Sequence, residues 1–491
     1  MLADLISIDR NAETPIFRQL TDQIIQLVRN GILRPGLQLP GSRKLSQKLK
    51  IHRKTVVSAL DELVAQGWLE TVPGRGTFIA RELLSGFQSF DQGIHSTNLV
   101  AELQIPEIID REFSPVIQSL HLDDGLPDPR LAPVEDLMRA YRNALMKGWR
   151  YPKYTYGDTK GQVTLREALV DYLAKTRGIH IDARQLIITR GVTQALYLVI
   201  KGLINPGDKV ALGALSWESA KINFQYHQAQ LIPVAIDREG LDVDHLETIC
   251  QQHEVKMVYV TPHHQYPTTV IMPAHRRIKL LQLARRYGFY IFEDDYDYDF
   301  HYSLHPIMPL SATGHDGQVL YAGSFTKAIS PVFRIGYLVG TVAQISYLSK
   351  LRRMIDRQGD AILELAVAEL LKTGVIQRSL RKNRKTYQQR RDFFIQLLQH
   401  HLGKYLEFQV PEGGMSVWAR FSPGIDLEKL AEKANKMDLY FYDGSTYQLS
   451  GKPVNATRLG YASSNYEELT SAVSLLKKLI ESSEISRPAR R

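Results

Sequence analysis

Val319-Leu320-Tyr321-Ala322-Gly323-Ser324-Phe325-Thr326-Lys327, followed closely by Pro331-Val332-Phe333-Arg334-Ile335-Gly336-Tyr337, decides how this chain is read. Its first four residues are an unbroken apolar run of strand length, and the glycine and hydroxyl residues after them mark a turn. Two similar junctions lie upstream: Phe289-Tyr290-Ile291-Phe292 runs into Glu293-Asp294-Asp295-Tyr296-Asp297, and Leu186-Ile187-Ile188-Thr189 runs into Gly191-Val192-Thr193-Gln194-Ala195. Further strands are expected at Lys209 to Leu212 and Val255 to Thr261, with helical stretches between them. Such alternation from about residue 120 onward argues for an α/β domain built on a mostly parallel sheet covered on both faces. Ligands bind these sheets beyond the carboxyl ends of the strands, so Lys327, Asp294 and the helix start near Val192 should converge on one edge.

That convergence has a chemical meaning. A lysine on a partly desolvated turn has a lowered pKa and can form a Schiff base. A carboxylate beside it can hold a protonated ring nitrogen, and a helix N-terminus with serine or threonine hydroxyls binds phosphate. These are the needs of pyridoxal 5'-phosphate. The other reading of the acidic run is a divalent-metal site with His301 and His305, but a run alone aligns no ligands, and no metal is expected. Cys250 is the single cysteine, so a disulfide framework is excluded and a thiolate metal site is not expected.

A length of 491 residues is room for about three domains. The opening Met1-Leu2-Ala3-Asp4-Leu5 carries an acid where a secretory signal needs a basic segment, and the best apolar stretch, Leu196 to Ile204, is broken by Lys201. A cytoplasmic protein without a membrane span is expected. Lys and Arg number 61 against 52 Asp and Glu, a net charge of +9 that carries meaning only where it is concentrated. Arg29, Arg34, Arg43, Lys44, Lys48, Lys50, Arg53 and Lys54 follow one another with no acid between them.

Three short helices surround that run. The first starts at Thr14-Pro15 and carries Ile16, Leu20, Ile24, Ile25 and Val28 on one face until Asn30-Gly31. The second spans about Ser42 to Leu49, and the third carries Val56, Val57, Leu60, Leu63 and Val64 until Gly67. A hairpin follows, with Pro73-Gly74-Arg75-Gly76 as its turn. This order is a winged helix-turn-helix. Arg43, Arg53, Lys54 and Thr55 are its candidate DNA contacts, and Arg75 on the wing is placed for a minor groove. The expected boundaries are 12–80 for this reader, 81–115 for an aperiodic linker and 116–482 for the α/β domain.

Arg34-Pro35-Gly36, Leu39-Pro40-Gly41-Ser42-Arg43, Lys54-Thr55-Val56 and Gly74-Arg75-Gly76-Thr77-Phe78 resemble the GntR-type winged helix, with Gly41 and His52 where that family usually has serine. Ser324-Phe325-Thr326-Lys327, Arg334-Ile335-Gly336-Tyr337 and Asp294, with Tyr156-Gly157-Asp158, Asn205-Pro206-Gly207-Asp208, Gly413-Gly414-Met415 and Arg458-Leu459-Gly460, resemble fold-type-I aminotransferases. This second resemblance implies that Lys327 forms the Schiff base with pyridoxal 5'-phosphate, Asp294 pairs with the pyridinium nitrogen and Tyr296 bonds the phenolic oxygen. Ser324, Arg334 and the backbone at Val192 and Thr193 would hold the phosphate, Trp217 would stack on the ring, and Arg458 would clamp the carboxylate of an amino-compound effector. At His263-His264-Gln265-Tyr266-Pro267, Tyr266 stands where aminotransferases place an asparagine against the ring oxygen.

Taken together, the chain resembles the MocR subfamily of GntR regulators over nearly its whole length. The resemblance implies a homodimeric, pyridoxal-phosphate-dependent transcription regulator that binds a double-stranded DNA operator and senses an amino compound or the cofactor itself. An active aminotransferase carrying an accessory DNA-binding domain is the alternative, and Tyr266 argues against it. Ser219, Tyr266 and Met415 are candidate pocket residues. The acid-free run from Lys372 to Arg391 reads as the solvated face of a long helix.

Overall fold

A computed structural model of the chain describes residues 2–83, 105–110, 116–148, 155–303, 307–314, 317–449, 451 and 454–485. The chain divides into two compact units, Met1–Ile105 and Pro106–Arg491. Most of the expected linker and His305 lie outside the described residues. What is described of the linker includes two single 3-10 turns, Arg81–Leu83 and Glu107–Ile109.

The small unit has helices α1 (Ile16–Arg29), α2 (Ser42–Leu49) and α3 (Arg53–Ala65), then the antiparallel hairpin of β1 (Leu69–Val72) and β2 (Gly76–Ile79). Leu20, Ile24 and Val28 of α1 meet Leu45, Val56, Leu60, Leu63 and Ile79 in one core. Leu2 and Ile6, ahead of residue 12, are buried in it as well. The two departures from the family pattern turn out differently. His52 takes over the capping of α3, its ring Nδ1 accepting the Lys54 N–H at 3.2 Å, whereas Gly41 offers α2 no side chain at all. Between them Lys50 adopts a left-handed conformation (φ 54°), which makes the turn tight.

In the large unit, α4 (Val134–Gly148) and α5 (Val163–Arg177) precede a seven-stranded sheet made of β3 (Leu186–Thr189), β4 (Lys209–Gly213), β5 (Gln230–Val234), β6 (Val255–Val260), β7 (Tyr290–Asp295), β8 (Val319–Ser324) and β9 (Gly336–Val339). The strand order is β3-β9-β8-β7-β6-β4-β5. Only β9 runs antiparallel to its neighbours. Both faces are covered, so side chains alternate between two apolar layers. Ile187, Leu212, Met257, Phe292, Leu320 and Leu338 face α6 (Val192–Leu203) and its neighbours. On the other face, Ala211, Val258, Ile291 and Val319 meet helices Val243–Gln252 and Ala274–Tyr287, while Ile188, Tyr321 and Tyr337 meet α5 and α7 (Ala361–Lys372).

The long helix α8 (Val375–Leu402) leads to a three-stranded antiparallel sheet of Leu406–Phe408, Ser416–Phe421 and Ala456–Gly460. Its basic run is not uniformly solvated, which corrects the sequence reading. Arg390 is buried and paired with Asp128 at 2.9 Å, because the helix turns that position into the core. Arg384 meets His301 Nε2 at 3.1 Å, whose Nδ1 meets the Tyr298 carbonyl at 2.8 Å, so both nitrogens of that candidate metal ligand are engaged within the protein.

Candidate functional site

The parallel strands end at one edge, and β9 starts there because it runs the opposite way. Asp294 lies level with Ala322, Ser324 with Gly336, and Gly336 with Thr189. Gly336 has no room for a side chain, since an added Cβ would meet the Gly191 Cα at 2.7 Å and the Gly323 oxygen at 2.8 Å. That backbone contact brings the residues before β9, Arg334 among them, against the start of α6. Gly191 opens α6 at φ 81°, leaving the N–H groups of Val192 and Thr193 at the helix start without intrahelical partners.

A cavity of about 180 Å³ sits at this edge. Every residue of the large unit named from the sequence as cofactor- or effector-binding lines it: Val192, Thr193, Trp217, Tyr266, Asp294, Tyr296, Ser324, Lys327, Arg334 and Arg458. Met415 is instead buried in the core and Ser219 lies in helix Glu218–Tyr226, neither lining the cavity.

Strand alternation sorts the acidic run. Glu293 accepts the N–H groups of Leu310 and Ser311 at 2.8 and 2.9 Å, and Asp295 takes the Tyr321 hydroxyl beside Arg177. Asp294 alone of these three faces the cavity. The Tyr259 hydroxyl donates to its Oδ2 at 2.6 Å, while its buried Oδ1 has no hydrogen-bond partner among the described residues. Burial pushes the Asp294 carboxyl up to about 7. An orphaned carboxylate oxygen at the floor of a cavity is what a ring N–H would satisfy.

Lys327 donates from Nζ to the Gly125 carbonyl, and desolvation lowers its amine from the ordinary lysine value. Ser324 Oγ lies 2.7 Å from Thr326 Oγ1 and accepts the Thr326 N–H at 3.0 Å. Arg334 is held left-handed (φ 43°) and donates to the Arg190 carbonyl at 3.0 Å, which aims its guanidinium across the N-terminus of α6. Hydroxyls, helix N–H groups and a guanidinium thus meet at one end of the cavity, with the lysine and carboxylate beside them. This donor set fits a phosphorylated pyridine aldehyde.

At the other end Arg458 is buried, and its guanidinium lies over the Tyr266 ring at 4.8 Å. It is already paired: its Nε is 2.6 Å from Asp124 Oδ1, and the Tyr266 hydroxyl donates to Asp124 Oδ2 at 2.7 Å. Asp124 was not singled out in the sequence. It stands in Leu122-Asp123-Asp124-Gly125, just after a short strand, and nothing local in that stretch announces a partner 334 residues away. Tyr259 and Thr326 were missed likewise, each looking like an ordinary strand or turn residue.

In the small unit Arg43, Arg53, Lys54 and Arg75 are exposed and form no ion pair among the described residues, and Thr55 is half-buried. Arg53 Nε reaches Ser42 Oγ at 3.4 Å, joining the starts of α2 and α3.

The family model for aminotransferase class I and II matches residues 128–476, and that for bacterial regulatory proteins of the gntR family matches residues 17–79. The chain is 32% identical over 393 residues to the HTH-type pyridoxine biosynthesis transcriptional regulator PdxR of Corynebacterium glutamicum, covering 80% of this chain and 81% of that one. It is 26% identical to the probable rhizopine catabolism regulatory protein MocR of Rhizobium meliloti, over 96% of this chain and 95% of the other. This chain belongs to the MocR subfamily of GntR-type regulators. Its large unit has the fold-type-I aminotransferase architecture: the multiple substrate aminotransferase of Thermococcus profundus superposes with a TM-score of 0.71 at 28% identity, over 78% of this chain and 98% of the enzyme. As in GntR-type proteins generally, the small unit is a DNA-binding helix-turn-helix. Among the described residues of this MocR-type regulator, no helix is long and apolar enough to cross a membrane.

Proposed function

We propose that this regulator holds pyridoxal 5'-phosphate at Lys327, senses an amino compound beside it, and binds operator DNA through α2, α3 and the β1–β2 wing. The observation that carries the reading is the cavity at the carboxyl edge of the sheet, where Lys327, the unpartnered Asp294 oxygen and an anion cradle converge.

When bound, the cofactor supplies an electrophilic carbon that takes up primary amines reversibly. Lys327, with its amine pKa lowered by desolvation, keeps a larger neutral and nucleophilic fraction near neutral pH than a solvated lysine. Asp294 accepts the ring N–H through Oδ1, while Tyr259 fixes its other oxygen. The N–H groups of Val192 and Thr193, the hydroxyls of Ser324 and Thr326, and Arg334 hold the phosphate. Trp217 presents a flat face to the ring. Lys327 would hold the cofactor at its aldehyde carbon, the position at which the bound group would exchange one primary amine for another.

Two cavity hydroxyls that could reach a ring oxygen already donate within the chain. The Tyr296 hydroxyl donates to the His264 carbonyl at 3.0 Å, and the Tyr266 hydroxyl is committed to Asp124. This favours sensing over rapid transamination. The test is direct: full-length protein incubated with pyridoxal 5'-phosphate should develop a visible absorption band, and Lys327→Ala should abolish it. A band unchanged in Lys327→Ala would remove Lys327 from the reading, and rapid keto-acid formation from common amino acids would favour the enzyme.

The homodimer is supported by an apolar groove of about 1200 Å³. It is lined by α4 and the 332–335 turn, where Met138 is 67% and Val332 80% exposed. Thr193 and Arg334 line both groove and cavity, so a second copy seated there would border the cofactor site.

A further inference from the structure

Arg458 has the burial and position of a carboxylate clamp, yet the carboxylate it holds belongs to the chain itself. Asp124 places Oδ1 2.6 Å from Arg458 Nε, and its Oδ2 takes the Tyr266 hydroxyl at 2.7 Å. Oδ1 is held by charge alone, since neither it nor Arg458 Nε makes a hydrogen bond among the described residues, and Oδ2 accepts a hydrogen bond. We propose that Asp124 sets the ligand selectivity of this pocket: by occupying Arg458 it turns away α-amino acids and admits primary amines that lack a carboxylate beside the amine. The proposal rests on the reading of the cavity as an amine-sensing cofactor site.

The loop carrying Asp124 is pinned on both sides, so the acid is a fixture of the pocket. Buried Asp123 accepts the N–H groups of Gly125 and Leu126 at 2.9 and 2.7 Å and the Ser463 hydroxyl at 2.6 Å. Downstream, Asp128 is paired with Arg390 and Arg130. Between these anchors the Gly125 carbonyl accepts from Lys327 Nζ, which ties the same loop to the reactive lysine. A Cβ at position 125 would meet Arg458 Nη2, Met415 Cβ and Ser416 Oγ, each at 3.3 Å, so the backbone fits closely over the clamp.

The electrostatic consequence follows from which charges remain free. Arg458 and Asp124 neutralise one another, and Arg334 sits at the phosphate end. A ligand carboxylate would have to displace Asp124 from a desolvated pair and leave that acid facing it at short range, where like charges are strongly unfavourable. A primary amine without a carboxylate beside it makes no claim on Arg458 and leaves the Asp124–Arg458 pair intact. Asp124 lines the cavity, so any ligand carboxylate that reaches Arg458 meets this acid.

The test uses full-length protein loaded with pyridoxal 5'-phosphate and two probes, 1,4-diaminobutane and L-alanine, each titrated by the visible spectrum and independently by calorimetric heat of binding. The native chain should bind the diamine at least about tenfold more tightly than alanine. Asp124→Asn, which keeps an acceptor for Tyr266 and removes the charge, should raise alanine affinity about tenfold or more; Asp124→Ala should shift the ratio in the same direction. Native protein that binds alanine as tightly as the diamine, or a ratio unmoved in both variants, overturns the proposal. If no cofactor band develops in the native protein, the cofactor reading falls and the selectivity falls with it; if the band develops and the ratio does not move, only the selectivity falls.

Discussion

Asp294 shows how a single residue couples cofactor affinity to stability. Its carboxyl and that of Glu293 are raised by burial to about 7, and that of Asp295 to about 6. A carboxyl raised on folding keeps its proton in the native state at pH values where the unfolded chain has released it. The stability it contributes is therefore complete below the unfolded value near 4 and is lost as pH rises to and through about 7. The cofactor-free protein should melt at a lower temperature at pH 8 than at pH 5.5. Asp294→Asn, still able to accept from Tyr259, should recover about 2 to 4 kcal/mol of that loss at pH 8 and leave pH 4 unchanged, as read by calorimetric melts. The same variant should weaken pyridoxal 5'-phosphate binding by about tenfold or more, because an amide oxygen carries no charge to match a pyridinium; stability gained without weakened binding would show that the orphaned oxygen does not face the ring.

At the level of elements, α2 and α3 pack against α1 through their apolar faces and leave Arg43, Arg53 and Lys54 unpaired in solvent. These charges add nothing to the core, so removing one should leave folding intact and act on DNA alone. Arg43→Ala is expected to weaken binding to a promoter fragment and to reduce the slope of log K against log salt by about 1, as for a lost phosphate contact. Fluorescence anisotropy at several salt concentrations reads both quantities, and an unchanged slope would place Arg43 away from the phosphates. The helices of the reader were legible in advance because their apolar spacing and stop residues are local signals: α2 falls at Ser42–Leu49 as expected. Strand β9 was not foreseen, since Gly336-Tyr337-Leu338-Val339 looks like the tail of the Arg334 turn and becomes a strand only by pairing with β3 and β8. The same holds for Arg390, which the charge run assigned to solvent and the helix phase assigned to Asp128.

For the whole molecule, the exposed apolar groove beside the cofactor cavity carries the prediction of self-association. Val332→Asp places a charge on a residue that is 80% exposed and touches none of the core, so it should fold normally yet dissociate the dimer in sedimentation equilibrium, with cofactor affinity falling alongside. A variant that stays dimeric would place the interface elsewhere. The sequence by itself determined the α/β class and the helices of the reader, because strand–turn junctions and helix periodicity are encoded within short windows, while the ten cofactor- and effector-binding residues implied by the resemblance line one cavity. Tertiary structure alone decided where the acidic neighbours of Asp294 go, Glu293 to the N–H groups of Leu310 and Ser311 and Asp295 to Tyr321 and Arg177, and that Arg458 is met by Asp124 from the opposite end of the domain. The reason is physical: the side of a strand on which a carboxylate emerges, and the charge it meets there, depend on register and chain closure over hundreds of residues, and neither leaves a local trace in composition or spacing.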